Sequence, residues 1–247
     1  KMIEIKFSQG AKPGKGGLLP KEKITREISE LRGVEMGKDV VSPPHHKECT
    51  DKTTTVAFIK HVQEVSGLPV GIKFCVGSPQ QVDDLVQEMV DQDVFPDYIS
   101  VDGSEGGTGA APKSFMDRVG MPLFPALSSV NRILCKKGVR NRLKLLAAGK
   151  LINPGRQILA FAMGADAVYS ARGFMLSLGC IQAMQCGNNT CPIGITTQDP
   201  ALQRGLDIGT RSVRVKNYVN NTMHDLEELL AASGERSLDD LSIDNLF

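Results

Sequence analysis

Three cysteines, Cys180, Cys186 and Cys191, are spaced C-x5-C-x4-C, and Pro192 follows the last of them. Thiolates are the ligands of iron–sulfur clusters, and a proline directly after the final cysteine is a frequent companion. The spacing departs from the usual ferredoxin pattern, and a tetrahedral zinc site would require a fourth ligand nearby. Gly187-Asn188-Asn189 can bend the chain so that Cys191 returns toward Cys186. The alternative is three buried thiols without a metal, since unpaired cysteine behaves as a small hydrophobe. The clustering favours metal.

A second concentration follows the apolar run that ends at Asp102. Gly103, Glu105, Gly107 and Thr108 fall in the Gly-rich loop 103–109. Backbone free of side chains can approach a planar or phosphorylated ligand closely, and a loop built only for a tight turn would not need this composition. Lys73 interrupts the apolar run 70–76. A lysine in a core strand is rare unless paired. Pointing inward at the mouth of a barrel, it would meet a ligand's polar edge; snorkelling to the surface fits less well, because both neighbours are apolar. Gly149-Lys150 and Ala171-Arg172-Gly173 end two successive strand candidates. Barrels often hold a phosphate there, and Lys150 and Arg172 would add charge-assisted hydrogen bonds. In the opening loop Lys6, Gln9, Lys12 and Lys15 supply ammonium and amide donors suited to a dicarboxylate. A solvated basic loop is the equal alternative. His45-His46 follow Pro43-Pro44, and adjacent histidines face apart on an extended chain, so this pair is read as loop structure rather than as metal ligands.

Elements must position these residues. Residues 2–8, 70–76, 97–102, 142–148 and 167–171 read as short buried strands, each running into a polar or Gly-rich segment. Between them lie amphipathic helices. One is expected to start at Ser78-Pro79, with serine as cap and proline at the first helical position, and to place Val82, Leu85, Val86, Met89 and Val90 on one face. Another spans 157–163 and stops at Gly164. Strand and helix in alternation predict an α/β fold of parallel units, about five of the eight in a (β/α)8 TIM barrel, whose active sites lie at the C-terminal strand ends. The expected organisation is a partial barrel over 1–204, with the cysteine loop at 180–191, and a helical tail over 205–247 packed on it. Ser237 to Asp240 resembles a capping box with Asp in place of Glu. Strand 2–8 follows immediately on Lys1, so the missing units are expected upstream, in an N-terminal half that would cover this strand's open edge.

With a net charge of +1, nothing pulls the chain toward nucleic acid, and no apolar run is long enough to span a membrane. Clustered cysteines in a chain with neither signal peptide nor disulfide framework point to a reducing, cytoplasmic setting, a membrane anchor upstream being left open.

The order Gln-Gly-Ala-Lys-Pro-Gly, Ser-Pro-Pro-x-His, Gly-Gly-Thr-Gly-Ala, Gly-Cys-Ile-Gln and Thr-Cys-Pro-x-Gly, ending in Thr-Gln-Asp-Pro, is similar to the synthase domain of the glutamate synthase family, from about Lys1 to Pro200. The resemblance implies FMN in a barrel mouth, beside a three-iron, four-sulfur (3Fe-4S) cluster on Cys180, Cys186 and Cys191. It implies an oxidoreductase that reduces the imine of 2-oxoglutarate and ammonia to glutamate. By motif position, Lys6, Gln9, Lys12 and Arg32 match residues that hold the dicarboxylate, and Lys12 and Lys73 are the two with an implied catalytic role. Lys73 also meets the flavin; Gly103, Glu105, Gly107 and Thr108 line its pocket; Gly149, Lys150, Ala171 and Arg172 hold its phosphate. Ammonia, free or glutamine-derived, and an electron donor, ferredoxin or an NADPH-linked partner, complete the expectation. Leu18 stands where larger members have glutamine, and 148–154 lacks their Asp-Gly-Gly form, as in shorter single-domain relatives. The competing readings are a flavin oxidoreductase acting on another amine or oxo acid, and a non-catalytic electron-relay module.

Overall fold

A computed structural model describes residues 1–107 and 109–246. Its main sheet contains β1 (Ile3–Lys6), β4 (Val70–Phe74), β5 (Tyr98–Asp102), β6 (Lys144–Ala148) and β7 (Ala167–Tyr169), in that spatial order and all parallel. A two-stranded antiparallel ribbon, β2 (Leu18–Leu19) with β3 (Val40–Val41), flanks α1 (Arg26–Arg32) in the excursion between β1 and α2 (Lys52–Ser66). From there α2, α3 (Pro79–Gln92), α4 (Leu123–Lys136), α5 (Pro154–Ala162) and α6 (Ala171–Ser177) alternate with strands. Neighbours in the sheet follow chain order with no reversal, as in a barrel and unlike a doubly wound sheet. The fold is α/β, the partial (β/α)8 barrel expected.

Side chains alternate across the sheet. Ile5, Val70, Ile72, Phe74, Ile99, Val101, Leu145 and Ala147 face the helices, where they pack with Ile59 of α2, Val86 and Met89 of α3, and Leu127 and Val130 of α4. The opposite, concave face carries Glu4 and Lys6 of β1, Lys73 of β4, Tyr98, Ser100 and Asp102 of β5, and Tyr169 of β7, the alternate residues of each strand. Among the described residues β1 and β7 do not pair with each other, so the sheet is open. It nevertheless curls enough for the Tyr169 hydroxyl to reach Glu4 Oε2 at 3.5 Å.

Several local expectations change. Pro79 opens α3 as expected, but Ser78 makes no side-chain cap bond. The helix expected over 157–163 starts earlier, because Asn153 accepts the Arg156 N–H at 3.0 Å and Pro154 occupies the first helical position. Ser237 caps only a 3-10 turn, accepting from Asp239 N–H; the reciprocal arrangement forms at Ser242 and Asn245, whose Oδ1 accepts the Ser242 N–H at 2.7 Å. After α7 (Pro200–Gln203), the tail is α8 (Ile208–Ala232), which lies against α5 and α6. No helix among the described residues is long and apolar enough to cross a membrane.

Candidate functional site

The C-terminal ends of β4 to β7 enclose a cavity of about 200 Å³. Lys73, Asp102, Ala148 and Tyr169 line it from the strands, Gln9, Gly106, Gly107, Gly149, Lys150 and Leu151 from the loops, and Ala171 and Arg172 from the start of α6. Lys73 enters from the concave face, its ammonium 3.8 Å from Asp102 Oδ2 and 5.4 Å from the Tyr169 ring centroid. Asp102, 6 % exposed, accepts the Gly10 N–H at 2.9 Å. Burial raises its carboxyl above the ordinary value of 3.8, outweighing the Gly10 hydrogen bond and the Lys73 and Lys6 charges. Lys6, beside Lys73 in the β1–β4 register, is shifted down by burial first and by the Lys73 ammonium second.

Of the residues singled out for a dicarboxylate, Lys6 and Gln9 come together at 3.3 Å, and Gln9 reaches the cavity. Lys12 Nζ turns back to the Gly16 carbonyl at 3.4 Å. Arg32 ends α1, exposed and outside the cavity wall. Gly107, Gly149, Lys150, Ala171 and Arg172 meet in the cavity as a group. Lys150 is left-handed (φ 50°) and pairs with Asp117 at 3.0 Å. Gly103 and Glu105 do not line the cavity. Gly103 N–H donates to the Ala148 carbonyl at 2.8 Å. Glu105 turns to the start of α4, where it accepts the Leu123 N–H at 2.9 Å and faces Arg156 at 3.5 Å. That is a helix-capping geometry, with the carboxylate at the positive end of the helix. Thr108 lies outside the described residues.

The cysteine loop sits directly behind the Gly-rich loop. Cys180, Cys186 and Cys191 line one small cavity of about 20 Å³ with Met175, Ile193 and Thr196. Burial pushes the Cys191 thiol up, but the backbone N–H groups of Thr196, Ile193 and Ile195 around the sulfur outweigh it and bring it to about 7. Low-pKa thiols are the ones that become metal ligands. Among the described residues, no group of three or more His, Cys, Asp or Glu is gathered closely enough to hold a metal ion, so the thiols share a cavity without converging on a point. Gln182, Met184 and Asn189 are all left-handed, at φ 56°, 58° and 66°. Such a concentration in non-glycine residues stores strain, which clusters at functional sites. Lys23 Nζ ties the loop to the first excursion through the Cys186 carbonyl at 2.5 Å. Arg172 joins the two loops, donating to the Gly107 carbonyl and to Gln182 Oε1, both at 3.3 Å. Any side chain at Gly109 would collide with Cys186 Sγ.

Asp102 and Tyr169 are the site residues that sequence reasoning missed. A charged residue closing the apolar run Tyr98-Ile99-Ser100-Val101-Asp102 was the available signal for the first. A larger cavity, about 460 Å³, lies between Phe7, Phe74, Cys75 and the start of α3, and holds none of the sequence-predicted site residues. His46 borders it, held by the Lys6 carbonyl at 3.1 Å and by edge-on contact with Phe7, as loop structure requires.

A family model described as a conserved region in glutamate synthase matches residues 1–236. The chain is 41% identical over 237 residues to a glutamate synthase large subunit-like protein, YerD, of Bacillus subtilis, covering 96% of this chain and 45% of that protein. It is 36% identical over 239 residues to an archaeal glutamate synthase (NADPH) of Methanocaldococcus jannaschii, covering 97% and 46%. The chain thus spans about half the length of the curated relatives it matches. Among solved structures, a double mutant of flavocytochrome b2 with pyruvate bound superposes with a TM-score of 0.54 at 13% identity, over 98% of this chain and 46% of that one. The last likeness concerns the barrel fold alone.

Proposed function

The chain belongs to the glutamate synthase family, and we propose that it supplies the flavin-phosphate and cluster-facing part of an FMN- and iron–sulfur-dependent oxidoreductase forming glutamate from 2-oxoglutarate and ammonia. The observation that carries this reading is the single wall made by Lys73, Gly107, Gly149-Lys150 and Ala171-Arg172, with Arg172 bridging it to the cysteine loop.

The donor set fits the groups. Lys150 and Arg172 offer charge to a phosphate, and Gly106-Gly107 leave backbone open to a planar ring. A cavity of about 200 Å³ is smaller than the usual ligand pocket of roughly 300–1,000 Å³, in keeping with a wall shared with the rest of a longer protein. Three thiols in an apolar setting, one of them titrating near 7, suit an iron–sulfur cluster held by Cys180, Cys186 and Cys191, although they would have to draw closer around it. When bound, FMN supplies hydride transfer and the cluster one-electron transfer.

The chain's own residues then have distinct tasks. Lys73 presents a cation to the cavity, with Asp102 and the Tyr169 ring fixing its direction. Lys6 and Gln9 present an ammonium and an amide at the loop edge, where they suit one carboxylate of the oxo acid. Lys12 would swing from the Gly16 carbonyl to reach the second. Arg32 would require movement of α1. An electron donor, ferredoxin or NADPH-linked, completes the scheme. Leu18, 60% exposed where larger members carry glutamine, favours one second reading: the same chemistry on another amine or oxo acid.

The test is turnover by the protein at its full natural length, with 2-oxoglutarate, ammonium and a reduced donor, measured as glutamate formed. Glutamate is expected, and Lys73→Met should lower kcat by about tenfold or more, as loss of an aimed cation at a reacting centre does. No glutamate, with turnover of a different oxo acid, would replace the first reading with the second.

A further inference from the structure

We propose that Tyr218, on α8, is a positioning residue for the phosphate side of the candidate flavin cavity; the inference rests on the flavin reading above. The tail reads in the sequence as packed on the barrel, yet this side chain reaches both segments that carry Lys150 and Arg172, the cavity cations on its phosphate side. Its hydroxyl lies 2.8 Å from the Ile152 carbonyl and 2.6 Å from Ser170 Oγ. Ser170 Oγ in turn lies 2.7 Å from the Leu151 carbonyl. Leu151 and Ile152 follow Lys150, and Ser170 precedes Ala171-Arg172. Two hydroxyl protons serve three short oxygen contacts, so two bonds stand at a time and the set closes a link between three segments.

The packing is built for this approach. Tyr218 meets Phe174 edge-on at 5.4 Å, and any side chain at Gly173 would collide with the phenol. The link also has something to hold. Lys150 is left-handed, a conformation that persists in a non-glycine residue only when its surroundings over-determine it. Ile152, whose carbonyl Tyr218 engages, donates its own N–H to the Lys150 carbonyl at 2.9 Å. Tyr218 thereby sets the spacing between Lys150 and Arg172 without lining the cavity itself. The ligand feature it serves is the terminal phosphate of a flavin mononucleotide, not the ring.

That distinction supplies the test. Apo-protein at its full natural length is titrated with FMN and with riboflavin, which lacks the phosphate, following flavin fluorescence. Wild type, Tyr218→Phe and Ser170→Ala are compared, the phenylalanine keeping the ring contacts with Gly173 and Phe174. Both variants should bind FMN roughly three- to tenfold more weakly, as loss of a hydrogen-bonded link implies, with riboflavin affinity unchanged. A merely structural role would weaken both ligands alike or neither, and either result overturns the proposal. A wild type that binds no flavin, or does not prefer FMN to riboflavin, overturns the flavin-phosphate reading and this inference with it. A wild-type preference that survives in both variants overturns the Tyr218 role alone. Should Tyr218→Phe fail to fold, Ser170→Ala decides.

Discussion

Asp102 is buried beside two lysines and still holds its proton more tightly than an ordinary carboxyl, because burial outweighs its Gly10 hydrogen bond and both charges. The sign of its effect on stability follows. The folded state binds this proton more tightly than the unfolded state, so the stability it contributes is fully present below pH 3.8 and is lost as pH rises through the folded value. Asp102→Asn cannot ionise. Denaturant melts between pH 3 and 7 should therefore show a smaller fall in stability with rising pH for the variant than for wild type. Identical slopes would mean that Asp102 titrates normally. Lys73 was legible in the sequence as a lone cation in an apolar strand. Its partner was not, because Asp102 becomes a partner only through strand register and the Gly10 loop. Glu105 was legible as a charge in the right loop, but its direction depends on where α4 begins, 18 residues later.

Among the elements, that helix start carries a prediction. Glu105 is 16 % exposed and joins the first N–H of α4 to Arg156 of α5, whose guanidinium lies 4.7 Å from the Phe124 ring centroid. Glu105→Gln should destabilise the fold by about 1–3 kcal/mol, the range for a partly buried carboxylate that loses its charged hydrogen bonds. Urea unfolding measures it; no change would mean that water replaces the contact. In the same helix Leu127 is fully buried, and Leu127→Ala should cost about 2–5 kcal/mol. Helix α3 was legible from Pro79 and the spacing of its apolar residues. The start of α5 follows the same logic of cap plus proline at Asn153-Pro154, a signal that lies outside the apolar stripe beginning at 157. The spacing at Ser237 suggests a capping box, but the reciprocal box forms between Ser242 and Asn245, one 3-10 turn later.

For the whole molecule, five strand-and-helix units in unbroken order were legible from apolar runs ending in polar loops, and the sheet bears them out. What spacing could not convey is the degree of curl, which brings Tyr169 across to Glu4, or the way α8 reaches back over the strand-end loops. An open sheet has unequal backbone protection. In the 247-residue chain, hydrogen exchange should be slower in β4, β5 and β6, each paired on both sides, than in β1 and β7, each paired on one among the described residues. Equal protection across the sheet would mean that both edges are covered.

The central claim is that the wall from Lys73 to Arg172 holds the mononucleotide of a flavin. Its most direct test is the flavin content of the protein purified at its full natural length, released by heat and identified by chromatography. FMN near one equivalent is predicted, falling on Arg172→Ala because a charged phosphate contact is lost. FAD in its place, or no flavin at all, would contradict the account.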